Sequence, residues 1–196
     1  MSAEEIINFI IAIRKLKDTE RKGWVTRVNI ANPESVADHS FLCAILAMCI
    51  GDSTGVDANK LLRMLLLHDI QESLTGDFDY KVKKELGAEQ VKKQERDAIK
   101  KIFSCLPQKI GDTYKSIWNE YEEQKTPEAI LANDIDKLEL IAQALEYEDK
   151  GYMSKKFDVF WEYAKENIKT PTGQALLKSL FTLRRSRKKA QLTDYH

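Results

Sequence analysis

The chain lacks the features that mark several broad classes of protein. It has three cysteines, Cys43, Cys49 and Cys105, with no CxxC spacing, a pattern that favours core cysteines over a disulfide framework or a thiolate nucleophile. The longest apolar run, Phe41 to Ile50, has ten residues, well short of the roughly 20 that cross a bilayer, and the N-terminus has no signal pattern. We therefore expect a cytoplasmic protein with no membrane partner.

An excess of charge of one sign is also missing. The 31 basic and 31 acidic residues give a formal net charge of zero, so the chain has no overall attraction to nucleic acid or to anionic lipid. Five of the six residues from Arg184 to Lys189 are basic, but a short basic run near a terminus is typical of a soluble tail. We expect no nucleic-acid partner, and any charged ligand must be met by local groups.

Period-two alternation is absent, and helix signals dominate the 196 residues, which fit one all-α domain spanning residues 1–196. The predicted bundle has about eight helices. They cover residues 2–17, 32–51, 57–73, 88–105, 107–123, 126–150, 154–167 and from 173 into the basic tail.

Apolar stripes predict how the first three helices pack. The first helix carries a stripe that should face the core, made of Ile6, Phe9, Ile10 and Ile13. The second helix opens at Asn32-Pro33, closes at Gly51, and carries His39 on an inward stripe. That stripe is Val36, Cys43, Leu46 and Ile50. The third helix is apolar almost all round, which is typical of a central helix.

Histidine is scarce, and two of the three histidines lie inside strongly apolar helical stretches. A buried imidazole or carboxylate is costly unless it is paired or bound to a cation. Adjacent helical residues diverge by about 100°, so His68 and Asp69 alone are not a self-evident chelate. However, Glu72 shares their face, and the inward-facing His39 belongs to another helix. The convergence predicts a divalent metal bound by His39, His68 and Asp69.

A fourth ligand is expected to be acidic and to lie downstream, where Asp134 and Asp136 open a long helix. Periodicity does not choose between these two aspartates. Asp134 shares a face with Leu138, Ile141 and Leu145, whereas Asp136 shares one with Ala132 and Leu140. Either could also be a solvated acid favoured by the dipole at the start of a helix.

Four motifs carry a resemblance to a known family. They are Gly23 to Arg27 (GWVTR), Pro33 to His39 (PESVADH), His68 to Asp77 (HDIQE and TGD), and Asp136 to Glu148 (DKLE and LEYE). In order and spacing they resemble the HD-domain metal-dependent phosphohydrolases, specifically the 5'-deoxynucleotidase branch. The resemblance spans about residues 9–150, and the helices of residues 151–196 carry nothing diagnostic.

The resemblance implies an HD-domain bundle with a central metal site and a homodimer. It makes His39, His68, Asp69 and Asp136 the metal ligands, because the register of the fourth motif selects Asp136 over Asp134. Two imidazoles and two carboxylates suit manganese, cobalt, iron, zinc or nickel. The implied reaction is hydrolysis of deoxyribonucleoside 5'-monophosphates to deoxynucleoside and phosphate, so the expected partner is a nucleotide.

The resemblance also implies roles for residues around the metal. Glu72 is assigned to catalysis beside Asp69, and Asp77 to substrate recognition, where its carboxylate could accept a hydrogen bond from a sugar hydroxyl. Arg27 suits a grip on phosphate. Trp24 suits either stacking on a base or capping the core, and the core role is the more common one for a tryptophan.

Two rival functions differ in a recognisable feature. The first is another phosphohydrolase of the same superfamily, acting on a triphosphate or on a cyclic or modified nucleotide. A triphosphate substrate needs several basic side chains near the pocket, and the motif loops show few. Enzymes of the cyclic-dinucleotide type carry a Gly-Tyr-Pro signature, whereas this chain has Gly151-Tyr152-Met153. The second is a regulatory module that binds metal without turnover, and the presence of Glu72 argues against it.

Overall fold

The computed structural model describes residues 2–193, and it confirms the all-α prediction. Within that range there are ten α-helices and no β-strand. The helices are α1 Ala3–Ile13, α2 Val36–Thr54, α3 Ala58–Leu67, α4 Glu72–Thr75, α5 Tyr80–Leu86, α6 Ala88–Phe103, α7 Gln108–Glu123, α8 Pro127–Asp149, α9 Asp158–Asn167 and α10 Pro171–Thr193. Short 3₁₀ turns precede α9 and follow α1, and a π turn spans Trp24–Val28.

The third predicted helix is interrupted in the structure. We predicted one helix over residues 57–73, but α3 ends at Leu67 and a separate single turn, α4, begins at Glu72. Between them the amides bond three residues back: Ile70 N–H donates to the Leu67 carbonyl and Ser73 N–H to the Ile70 carbonyl, both at 3.2 Å. These bonds belong to a tighter winding than the α-helix. The prediction of one continuous helix is therefore wrong, and His68 and Asp69 lie in the break.

Helix α2 has its start and end shifted from the predicted positions. It begins at Val36 rather than at Asn32, because Ser35 and Asp38 form a reciprocal cap. The Asp38 N–H donates to the Ser35 hydroxyl at 3.1 Å, and the Ser35 N–H donates to the Asp38 carboxylate at 2.9 Å. Two donors at the helix end are satisfied in this way. The helix continues through Gly51 to Thr54, so the predicted end at Gly51 is also wrong.

Helix α1 lies on the surface, which corrects the prediction that its whole stripe faces the core. Phe9 and Ile13 are half-buried against the core, whereas Ile6 is 39% and Ile10 is 53% exposed. The cysteine prediction is also corrected in part. Cys43 is buried, but Cys49 is exposed and Cys105 is half-buried.

Two apolar clusters meet along α8. One cluster joins α2, α3, α6 and α7 to the first half of α8, and the other joins the second half of α8 to α9, α10 and the π turn. Helices α2 and α3 both pack on α8, so polar residues on their facing sides meet where the clusters join. Burial of the apolar side chains in these clusters provides the main stabilisation of such a bundle.

Among the described residues, one helix is long and apolar enough to cross a bilayer by length and composition. It is α2, in which 39% of the qualifying window is buried inside the structure. A core helix of a soluble protein meets the same test, and α2 carries the buried His39 against α3 and α8.

Candidate metal centre

Two buried histidines face each other at the junction of α2 and α3. His39 comes from the inward side of α2, as predicted, and His68 follows the last residue of α3. Their Nε2 atoms are 3.3 Å apart. Each Nδ1 has an acceptor of its own: the Leu65 carbonyl lies 2.8 Å from that of His68, and the Glu139 carboxylate bonds that of His39. With Nδ1 protonated, both Nε2 lone pairs point into the same space.

Two carboxylates complete the cluster. The Asp136 Oδ1 lies 3.1 Å from the His39 Nε2, and the Asp69 Oδ2 lies 3.2 Å from the His68 Nε2. Burial opposes ionisation of Asp69, but His68 and Arg21 hold its pKa well below the ordinary value. The break after α3 allows this approach, because on a continuous helix His68 and Asp69 would diverge by about 100°.

The donor set fits a divalent metal ion. Two imidazole lone pairs at 3.3 Å would repel each other, and two buried carboxylates are costly without a cation. Atoms bound to one zinc-like ion at about 2.0 to 2.2 Å in a tetrahedron stand roughly 3.3 to 3.6 Å apart. The spacings between histidine nitrogens and aspartate oxygens, and between the two nitrogens, run from 3.1 to 3.9 Å and bracket that value. This cluster could therefore hold a metal, at the centre of the bundle.

Cys43 borders the same cluster, which the sequence interpretation missed. It is buried in the core as predicted, yet its Sγ lies 3.6 Å from the His39 Nε2. Ligand atoms of His39, Cys43, His68 and Asp136 all lie within 4.8 Å of one another. Burial raises the pKa of the Cys43 thiol to about 12. The available signal was the spacing, since residues four apart share a helical face.

Arg21 is a second functional candidate that the sequence interpretation missed. It lies in the loop before the GWVTR motif and donates from Nη1 to the Asp69 Oδ2 at 3.1 Å. The negative charges of Asp69, Asp77, Asp136 and Glu72 outweigh the effect of burial and raise its pKa. Arg21 therefore brings a fixed positive charge to the cluster. It lies in the same segment between α1 and α2 as Arg27, which the sequence analysis assigned to phosphate binding.

The cluster opens onto a cavity of about 380 Å³. Asp69 and Asp136 lie in its wall together with Glu72 and Asp77. Glu72 is buried, and its Oε2 has no hydrogen-bond partner within the part of the chain that the structure describes. Burial raises the pKa of Glu72 well above its ordinary value, with Asp69 and Asp77 adding to the shift. This shift favours the protonated form of the Glu72 carboxyl group.

At the cavity mouth, Asp77 joins the segment between α4 and α5 to the segment between α1 and α2. Its Oδ2 accepts a hydrogen bond of 2.7 Å from the backbone N–H of Lys22. The side chain is half-buried and lines the cavity, so it is not a loop acid in open solvent. The Lys22 bond fixes the orientation of the carboxylate toward the space that a ligand would fill.

Arg27 and Trp24 both line the cavity, in different environments. The Arg27 guanidinium lies 5.1 Å from the centre of the Tyr80 ring, a cation–π contact that leaves its N–H groups usable. Trp24 is 1% exposed. Its indole N–H donates to Glu34 at 2.8 Å, and its ring packs on Phe160 at 4.7 Å between centroids. Trp24 is thus a core side chain with one edge in the cavity wall.

Asp134 and Asp136 are separated by the structure. Asp136 reaches the histidines, whereas Asp134 is fully buried on another side of α8. The Asp134 carboxylate accepts hydrogen bonds from the backbone N–H groups of Lys169 at 2.9 Å and Thr170 at 2.7 Å. It thereby anchors the segment that leads into α10. The geometry brings together His39, His68, Asp69 and Asp136, and it leaves Asp134 outside.

The chain is similar to known proteins along nearly its whole length. A family model described as HD domain matches residues 13–176. The 5'-deoxynucleotidase HDDC2 of Dictyostelium discoideum is 34% identical over 180 residues, covering 87% of this chain and 93% of that protein. The Homo sapiens protein of the same name is 30% identical over 194 residues, covering 99% and 93%. Among solved structures, the PH0347 protein from Pyrococcus horikoshii OT3 matches with a TM-score of 0.75 at 30% identity, covering 91% of this chain and 98% of its own.

Proposed function

The chain belongs to the HD domain family, and we propose that it hydrolyses deoxyribonucleoside 5'-monophosphates to the deoxynucleoside and phosphate with a bound divalent metal. The observation that carries this proposal is the convergence of two imidazoles and two carboxylates on a cavity that also contains Glu72. The Dictyostelium and human relatives are named 5'-deoxynucleotidases, which supports the same reaction. Manganese, cobalt, iron, zinc or nickel suits the donors.

The residues around the proposed metal position have distinct roles in this reaction. A divalent ion held by His39, His68, Asp69 and Asp136 would supply charge stabilisation and water activation. Glu72, with its raised pKa, donates a proton to the leaving sugar oxygen.

Substrate recognition falls to the residues farther along the wall. Arg27 is well placed to neutralise the phosphate, because it lines the cavity near the acidic cluster. Asp77 can accept a hydrogen bond from a sugar hydroxyl with the oxygen that Lys22 does not occupy. The edge of Trp24 that lies in the cavity wall supports the sugar or base by apolar contact.

The charge balance of the cavity argues against a triphosphate. Its wall has more basic side chains than the motif loops suggested, namely Arg21, Arg27, Lys83 and Lys137. It also has five carboxylates: Asp69, Glu72, Asp77, Asp79 and Asp136. Arg21 is already paired with Asp69, and the Lys137 Nζ donates to the Asn133 carbonyl at 2.9 Å. A monophosphate with one divalent ion matches this balance better than a triphosphate.

A phosphate-release screen tests the proposed function. Protein stripped with a chelator and reloaded with Mn²⁺ or Co²⁺ should release phosphate from deoxyribonucleoside monophosphates faster than from triphosphates or cyclic nucleotides. Mg²⁺ should restore less activity, because imidazole suits Mn²⁺ and Co²⁺ whereas Mg²⁺ prefers oxygen and water. Full activity in excess chelator, with an empty site by metal analysis, would overturn the metal-dependent reaction. No release from any nucleotide would favour the regulatory module.

We also propose that the chain is one domain and forms a homodimer. Helices α9 and α10 pack on α8, which supports a single domain through the C-terminal helices. The outer side of α2 exposes four large apolar side chains, the α2 outer face: Phe41, Leu42, Ile45 and Met48, each 42 to 62% exposed. An apolar face of one helix can pair with its own copy about a two-fold axis. Burial of the α2 outer face against a second copy would explain why its side chains are apolar, and no membrane is needed for that.

A charge placed on the α2 outer face should separate the protomers. We expect wild-type protein to have the mass of a dimer by light scattering, and Phe41→Glu or Ile45→Glu to shift it toward the monomer, because a buried unpaired carboxylate is costly. Leu183→Glu is the matched control, since Leu183 is 39% exposed on α10. A monomeric wild type, or a dimer that is unaffected by both α2 changes, would contradict the proposed interface.

A further inference from the structure

The reaction cavity has an apolar side to which no role has yet been given. Its residues come from α8 and α9, and they are Leu140, Val159, Phe160 and Tyr163. Val159 and Tyr163 are four residues apart on α9, so they share a face. They are 44% and 49% exposed, whereas Phe160 is buried against Trp24. Helix α9 therefore packs on the core through one face and presents Val159 and Tyr163 at the cavity.

The cavity runs along α8, away from the proposed metal position. The α8 residues in its wall are Asp136, Lys137 and Leu140. Leu140 follows Asp136 by four residues, so the two share a face and are about 6 Å apart along the helix axis. In a nucleoside monophosphate the base is the part farthest from the phosphate. A phosphate held at the metal therefore places the base toward Leu140 and toward α9, which packs on α8.

The Tyr163 side chain reaches the cavity with its ring half-exposed. Burial raises the pKa of its hydroxyl group, the charge of Asp136 adds to the shift, and Lys83 opposes it. The hydroxyl is thus within electrostatic range of one group on α8 and another on α5. The exposed part of the ring is available to a planar ligand, and every nucleobase has a flat face that can stack on an aromatic ring.

Tyr80, on α5, is the other exposed aromatic side chain in the wall among the described residues. The guanidinium of Arg27 lies over its ring, 5.1 Å from the centre. Because Arg27 is assigned to the phosphate, Tyr80 belongs to the phosphate side of the cavity. The wall residues close to it in the sequence, Asp77 and Asp79, are charged. The apolar α9 side suits the face of a base better than this charged side does.

We propose that α9 forms the base-binding wall of the cavity, with the Tyr163 ring stacked on the nucleobase and Val159 extending the apolar contact. The inference rests on the proposed function, because it takes a nucleoside monophosphate as the ligand, and it names the residues that hold the base. Helix α9 lies in the part of the chain where the sequence carries no diagnostic motif, so the motifs alone leave the base without a partner.

A substrate without a base tests the proposal by kinetics. The value of kcat/KM is measured with Mn²⁺-loaded protein for deoxyadenosine 5'-monophosphate and for deoxyribose 5-phosphate. We expect Tyr163→Ala to lower the ratio of the first value to the second by about 5- to 100-fold, because only the nucleotide has a ring to stack. Tyr163→Phe should keep the wild-type ratio, since the ring remains. Val159→Ala should lower the ratio less than Tyr163→Ala does.

Tyr80→Ala is the matched control for Tyr163→Ala. It removes an exposed tyrosine from the α5 side of the same cavity. Any loss of phosphate binding through Arg27 affects both substrates alike, so the ratio should stay near the wild-type value. A ratio lowered by Tyr80→Ala and unchanged by Tyr163→Ala would overturn the inference and place the base against α5.

Binding of deoxyadenosine provides a second measurement, without turnover. This nucleoside has no phosphate to lose, so the metal-loaded protein can be titrated by calorimetry. We expect Tyr163→Ala to raise its Kd by a similar factor and Tyr163→Phe to leave it near the wild-type value. Equal Kd values for wild type and Tyr163→Ala would overturn the inference, while phosphate release from the nucleotide would leave the proposed function intact. No phosphate release from either substrate, together with deoxyadenosine binding that depends on Tyr163, would overturn the proposed function and support the base-binding wall.

Discussion

Asp136→Ala should lose the bound metal and the phosphatase activity together, whereas Asp134→Ala should keep both. The Asp136 carboxylate lies 3.1 Å from the His39 Nε2 and lines the cavity. The Asp134 carboxylate is used by the amides of Lys169 and Thr170. Metal content by elemental analysis and phosphate release per chain separate the two variants, which differ by two positions on one helix.

Stability should respond in the opposite order. Asp134→Ala leaves two backbone N–H groups without their charged acceptor, which costs about 2 to 4 kcal/mol and should lower Tm by several degrees. In metal-free protein Asp136→Ala should lower Tm less, because the Asp136 side chain is 26% exposed whereas Asp134 is fully buried. Loss of metal from Asp134→Ala but not from Asp136→Ala would show that the assignment along α8 is reversed.

The distinction between these two aspartates shows where sequence reasoning stops. Helical periodicity places both on apolar faces, and both are equally plausible ligands on that basis. The partners that separate them come from far along the chain: His39 lies about 100 residues before Asp136, and Lys169 lies 35 residues after Asp134. Only the family register selected Asp136, because local pattern contains no information about distant partners.

The break after α3 illustrates the same limit in the backbone. The apolar pattern continues past Leu67, so it predicts a continuous helix. In the structure the Trp118 indole N–H, from α7, lies 3.3 Å from the His68 carbonyl and 3.0 Å from the Gln71 side-chain oxygen. A carbonyl released from the helical ladder thus has a tertiary donor. Because that donor lies about 50 residues away, no local signal marks the break that brings His68 and Asp69 together.

The depth of the histidines, by contrast, was predictable from the sequence. A capped helix with an inward stripe places His39 in the core, and a leucine-rich helix does the same for His68; both are buried. Buried imidazoles need hydrogen-bond partners or a bound cation. Arg21 and Cys43 were missed for different reasons. Arg21 lies in an irregular loop without periodicity. Cys43 fits the apolar stripe of its helix, so its spacing of four residues from His39 was not interpreted as a sign of a polar role.

Glu72→Gln should retain the metal and the nucleotide but lose about 10²- to 10⁴-fold in kcat. Glu72 lies in the cavity wall with Asp69 and Asp136, yet the two histidines and two aspartates complete the donor set without it. Glutamine keeps the shape of the side chain and cannot transfer a proton. The effect should therefore appear in kcat, with little change in KM or in the metal content.

Glu95→Gln is the matched control for this change. Burial raises the pKa of Glu95 as it does for Glu72, but Glu95 lines a different cleft, beside Trp118 and Glu122. We expect it to leave kcat near the wild-type value, so a fall specific to Glu72 reflects position in the reaction cavity rather than loss of a carboxyl group with a raised pKa. Turnover at the wild-type rate by metal-loaded Glu72→Gln would remove Glu72 from the mechanism. Loss of metal from that variant would make it a ligand instead.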